Sequence, residues 1–171
     1  RDFPVEQYWR DNRLNMIHEG THGIQAMDLL GRKVIMEGGK GLQLLATRIN
    51  ATIQKALQQA KLSTYANQLA RALADVGSTT KAAWATDNPQ EALANAVPYM
   101  QAFGHVVLGW IWLDVALAVL AKDDGLAIAA HRGSMAAQRY FFHYELPRIG
   151  AWLQVVKARD MTCAYMEEDA F

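Results

Sequence analysis

The stretch Ile17-His18-Glu19-Gly20-Thr21-His22-Gly23-Ile24-Gln25 holds a carboxylate, two imidazoles and two glycines, just ahead of an apolar-periodic run. These residue types and spacings allow three chemistries. In the first, the stretch is a loop leading into a helix: Thr21 caps it, and Glu19 sits near the positive end of its dipole. In the second it is a zinc site, because His18-Glu19-Gly20-Thr21-His22 fits the string H-E-x-x-H. In the third, Glu19 is a general base held at a bend. The zinc site requires a helix, since two histidines four apart share a face only if the residues between them are helical. Gly20 weakens a helix interior and Thr21 prefers a cap. At the places where a third ligand of the longer zinc motif would stand are Gln25 and Asp28.

The elements around this stretch follow from apolar spacing. Pro4 suits a first helical turn, and Val5, Tyr8, Trp9, Leu14 and Ile17 predict a helix that stops near residues 18–20. A second helix is predicted from about Thr21 to Met36. Gly38-Gly39-Lys40-Gly41 is the clearest break in the chain. It divides residues 1–37 from 42–171. Beyond it, Leu42, Leu45, Ile49, Ile53, Ala56 and Ala60 form one stripe, and Tyr65, Leu69, Leu73 and Val76 another. Ser63 is a candidate cap, and Gly77-Ser78 predicts an interruption or kink. Asn88-Pro89-Gln90-Glu91 predicts a capped helix start. Pro98 predicts a bend. His105 to Ala121 is the most apolar run, predicted as the central helix of a bundle. It is too short to span a bilayer, which takes about 20 residues, and Asp114 interrupts it. Asp123-Asp124-Gly125 closes it. A last long helix from near Leu126 breaks or kinks at Pro147. No alternating β-branched pattern signals a strand. The fold class is therefore all-α: an up-down helical bundle over 42–171, preceded by two helices.

Composition narrows the function. Apolar residues make up 51% of the 171 residues, which excludes a disordered chain. Lys+Arg and Asp+Glu number 17 each. That balance argues against a nucleic-acid or anionic-membrane surface and leaves self-association open. A lone Cys163 suits a reducing compartment, here the cytoplasm. The chain opens on Arg1-Asp2-Phe3-Pro4, without a methionine, which suggests a piece of a longer protein. His105, Asp114, His131, His143 and Glu145 match no ligand spacing. The aromatics Trp110, Trp112, Tyr140, Phe141, Phe142 and Tyr144 fit core or interface packing better than a ligand box. Arg10, Arg13, Arg32 and Lys33 fit surface ion pairs better than phosphate contacts.

Tyr8-Trp9-Arg10-Asp11-Asn12-Arg13 followed by IHEGTHGIQAMDLLGRKV resembles the last helices of acyl-CoA dehydrogenases, where Y-R-D-A and then I-Y-E-G-T-N-G-I-Q are common. This block covers roughly the first fifth of the chain. Gly109-Trp110-Ile111-Trp112 and the segment from Arg139-Tyr140-Phe141-Phe142 to Leu146-Pro147 resemble the extra helical domain of a larger-subunit branch. His18 stands where the family has tyrosine, and His22 where it has Asn or Ser; those two departures create the zinc-like string. The resemblance implies an FAD-dependent enzyme that makes a trans-2-enoyl-CoA from an acyl-CoA, with an electron-transferring flavoprotein as acceptor and a homo-oligomeric assembly. It implies that Glu19 is the catalytic base, that Gly20 lies against the thioester end of the substrate, and that Thr21 and Gly23 approach the flavin nucleotide. It places 1–37 at the end of the catalytic helical domain, 38–41 as a linker and 42–171 as the appended bundle. The piece alone is then expected to be inactive. The alternatives are a zinc metallopeptidase built on His18, Glu19 and His22, and a non-catalytic helical assembly module.

Overall fold

A computed structural model describes residues 5–15, 21–122 and 127–170. In chain order the helices are α1 (Val5–Leu14), α2 (His22–Asp28), α3 (Met36–Leu57), α4 (Ser63–Ala83), α5 (Pro89–Leu93), α6 (Ala96–Leu120), α7 (Ala129–Tyr140) and α8 (Ile149–Ala158). Among the described residues there is no strand, as the sequence pattern predicts. α3, α4, α6 and α8 pack side by side, and α2 and α7 lie against α6.

α6 is the centre of the bundle. Ala96, Tyr99, Ala102, Val106, Gly109, Leu113, Ala116 and Val119 recur every three or four residues and are buried. The stripes predicted on α3 and α4 meet them through Ile49, Ile53, Ala56, Leu69 and Val76, joined by Ala66 and Ala72, whereas Leu42, Leu45, Tyr65 and Leu73 are half-buried and Ala60 is exposed. Three side-chain bonds tie the packing together where apolar contact alone has no direction. Tyr99 and Thr80 hydroxyls lie 2.6 Å apart between α6 and α4. Trp110 donates to the Thr52 hydroxyl at 2.8 Å between α6 and α3. Trp84 donates to the Leu30 carbonyl at 3.2 Å.

Several details depart from the sequence pattern. α6 has 25 residues, longer than the run from His105, so its length and composition would suffice to cross a membrane. Pro98 is its third residue, where a missing N–H costs nothing, so no bend is needed. α4 runs through Gly77 unbroken, because burial of Val76, Thr79, Thr80 and Ala83 outweighs the weak propensity of one glycine. Ser63 is the first residue of α4 and not its cap; its hydroxyl donates back to the Ala60 carbonyl. The last long helix breaks as predicted, but α7 ends at Tyr140, ahead of Pro147. α7 gives way to a π-helical turn at Phe141–Glu145, a 3₁₀ turn at Leu146–Arg148 and then α8. Pro147 has no N–H for the carbonyl four residues back, and the widened turn absorbs the mismatch. Asn88 caps α5 as predicted, accepting from the Gln90 N–H at 3.0 Å. Asp123-Asp124-Gly125 and Leu126 lie outside the described residues.

The glycine-rich break is a tight turn. Glu37, Gly38 and Gly39, near the start of α3, have φ of 51°, 65° and 83°, which kinks the helix and swings the rest of it away from Met36 and the segment before it. That preceding segment also reaches the bundle: Ala26, Leu30 and Val34 are buried in the same core.

Candidate active site

The stretch singled out in the sequence straddles the start of α2. His18, Glu19 and Gly20 lie outside the described residues. Thr21 is exposed and extended, with φ −84° and ψ 163°, and α2 begins at His22. Thr21 occupies the cap position through its backbone, its carbonyl accepting from the Gln25 N–H at 3.0 Å. Its hydroxyl makes no capping bond, contrary to the expected side-chain cap. His22 is exposed at the first helical position. A Cβ built on Gly23 would meet nothing within 4 Å, so that flank of α2 is open.

This geometry bears on the zinc string. Thr21 is extended and α2 begins at His22, so no helix runs through position 21, as the zinc string would require. Among the described residues, no three His, Cys, Asp or Glu side chains group as metal ligands.

α2 is held firmly behind this exposed start. Ala26 and Leu30 are wholly buried against the bundle, while Ile24 and Met27 on the other face are 55% and 42% exposed. The helix widens into a π-helical turn, Leu29–Lys33. A Cβ on Gly31 would sit 3.2 Å from Leu93 Cδ2, so only glycine allows α5 this close without a shift. Arg32 grips Asp28 at 2.6 and 3.0 Å, and Lys33 Nζ stands 3.5 Å from the same carboxylate. The Arg32 hydrogen bond holds the Asp28 carboxyl below its ordinary range. Nothing in the sequence pattern singles out Trp84 or Leu93 as supports of α2. Trp84 follows the end of the α4 stripe, and its contact with Leu30 spans 54 positions.

The other candidates are structural. His105 Nε2 lies 3.8 Å from Glu145 Oε2, and its ring packs on Trp152 at 4.8 Å. Phe141 and Phe142 are core residues, whereas Tyr140 and Tyr144 stack on each other outside it. Arg10 pairs with Glu6, and Arg13 lies over the Trp9 ring.

The family model described as acetyl-CoA dehydrogenase C-terminal like matches residues 45–167, which run from α3 past α8. The chain belongs to this acyl-CoA dehydrogenase family. Its relatives carry the likeness into the first fifth as well. Over 100% of its length the chain is 27% identical to the broad-specificity linear acyl-CoA dehydrogenase FadE5 of Mycobacterium tuberculosis, covering 30% of that protein. Over 72% of its length it is 36% identical to 3-methylmercaptopropionyl-CoA dehydrogenase of Ruegeria pomeroyi, covering 21% of it. A butyryl-CoA dehydrogenase of Syntrophomonas wolfei is 28% identical over 95% of the chain, which covers 28% of that relative. This acyl-CoA dehydrogenase chain thus spans less than a third of the length of the curated relatives it matches.

Proposed function

We propose that the chain is the C-terminal part of an FAD-dependent enzyme that removes the α- and β-hydrogens of an acyl-CoA thioester, with Glu19 as the base. Two observations support this. The likeness to an acyl-CoA dehydrogenase extends over 100% of the chain, so it spans the stretch that holds Glu19 as well as the bundle. The extended backbone at Thr21 carries the choice between chemistries, because it weighs against the helix that a pair of metal ligands four apart would need.

The α-proton beside a thioester is acidic only when the enolate oxygen is stabilised. A carboxylate is a weak base for it. Exclusion of water by a bound acyl chain raises the Glu19 pKa and improves the match. Gly20 takes the thioester end. The exposed Thr21 and the open flank of Gly23 fit a flavin nucleotide against the start of α2. When bound, FAD supplies the acceptor for the β-hydrogen. Residues 1–37 belong to the end of the catalytic domain and 42–171 to an appended bundle, joined at 38–41 although their side chains share one core. An electron-transferring flavoprotein as electron acceptor, a homo-oligomer and a cytoplasmic location complete the proposal. In the intact parent, Glu19→Gln lowers steady-state dehydrogenation by about 10²–10⁴-fold while FAD stays bound. Turnover near the wild-type rate removes Glu19 from this role.

One observation favours an assembly role alongside catalysis. α6 is apolar around its circumference, yet Val97, Leu108 and Ile111 are 38%, 46% and 48% exposed. A helix apolar on all sides is ordinarily covered on all sides, and a second copy of the parent is the proposed cover.

A further inference from the structure

We propose that Trp84 is a positioning residue for the dehydrogenation site: its indole N–H, bonded to the Leu30 carbonyl, fixes on the bundle α2, the helix that follows Glu19 in the sequence. This rests on the reading of Glu19 as the base. α2 has only seven residues, too few to hold its own direction, so its placement comes from tertiary contacts.

The π-helical turn creates the acceptor. In an α-helix the Leu30 carbonyl would take the Val34 N–H. Here the Val34 N–H goes to the Leu29 carbonyl at 3.0 Å. The next N–H, from Ile35, goes to the Arg32 carbonyl at 3.3 Å. Both of Leu30's usual donors are therefore diverted, at a residue whose side chain is wholly buried. A buried carbonyl without a donor costs about 1–3 kcal/mol. Trp84 Nε1 fills the gap from 3.2 Å. From α5, Leu93 closes on Gly31, the next residue of the same turn. The turn is gripped from just past the end of α4 and from α5 at once, one contact directional and one steric. The bundle thereby sets where α2 begins, and a base displaced by about 1 Å loses on the order of 10²-fold in rate.

The test is Trp84→Phe in the intact parent, which keeps the apolar ring and removes the donor. The expected result is a fall in kcat of about tenfold, with KM for acyl-CoA changed by less than about twofold and FAD content unchanged. Amide exchange of residues 22–30 rises, while that of α8 stays as in the wild type. Added to Glu19→Gln, the substitution produces no further loss, because it acts through that base. Unchanged kcat, or a full additional loss on top of Glu19→Gln, overturns the positioning role while the base assignment stands. Turnover retained in Glu19→Gln alone overturns both. If Trp84→Phe does not fold, Gly31→Ala displaces the same turn from the α5 side by a few tenths of an ångström, and the same split in kcat and KM is read from it. Wild-type kinetics in Gly31→Ala then overturn the proposal.

Discussion

Tyr99 shows how one buried hydroxyl sets a pH limit on the bundle. It is wholly buried, and burial pushes its phenol up to about 12, with the Thr80 hydrogen bond acting in the opposite sense. The folded pKa lies above the unfolded value, so the contribution is fully present below pH ~10 and is lost as pH rises towards 12. A rise of that size corresponds to about 2–3 kcal/mol. Tyr99→Phe should cost about 1 kcal/mol at neutral pH, through the lost hydrogen bond. It should also flatten the extra alkaline loss between pH 10 and 12. Urea midpoints of the two chains against pH measure this, and parallel curves contradict it. At this scale the sequence was legible wherever a residue acts on its near neighbours: Asn88 caps and Pro89 opens the helix, as their order predicts. It was illegible where partners are remote, as with Tyr99 and Thr80, or Trp84 and Leu30.

Helices come out of the spacing more readily than their irregular turns do. The stripes on α3 and α4 follow from apolar residues three and four apart, because burial needs only a face. The π-helical turns at Leu29–Lys33 and Phe141–Glu145 leave no mark in such a pattern. One inserted residue shifts the hydrogen bonds while keeping an apolar face. Single prolines and glycines were equally ambiguous: Pro98 sits harmlessly in a first turn, Gly77 is carried through a helix, and Pro147 stands in the 3₁₀ turn between α7 and α8. Gly109 has a definite task where α6 crosses α4 and the turns that follow α7. A Cβ there would stand 3.4 Å from Leu69 Cδ1, 3.6 Å from Phe141 Cε1 and 3.7 Å from Leu146 Cδ1. A larger side chain overpacks this junction. Gly109→Leu should destabilise the bundle by about 1–3 kcal/mol or more, measured by denaturant unfolding. Unchanged stability would mean that the crossing is not close-packed.

The whole molecule joins an exposed, chemically equipped start of α2 to a bundle that holds α2 from behind. The all-α class and the family were legible in the sequence, the first from periodicity and the second from the Glu19-Gly20-Thr21 block and the bundle segments. The shared core was not: a run of glycines at 38–41 reads as a separator, yet three left-handed residues fold it so that Leu30 and Val34 pack inside. Equal numbers of acidic and basic residues leave no net repulsion between copies. If a second copy covers α6, Leu108→Glu with Ile111→Glu should dissociate the parent in sedimentation velocity, and an unchanged coefficient contradicts that cover. Proton removal by Glu19 is the step on which the proposed activity rests. Its most direct test is single-turnover bleaching of the flavin absorbance by an acyl-CoA in Glu19→Gln parent protein, which isolates the chemical step from product release. The predicted result is flavin retained in full and bleaching slowed by about 10²–10⁴-fold; bleaching at the wild-type rate would contradict it.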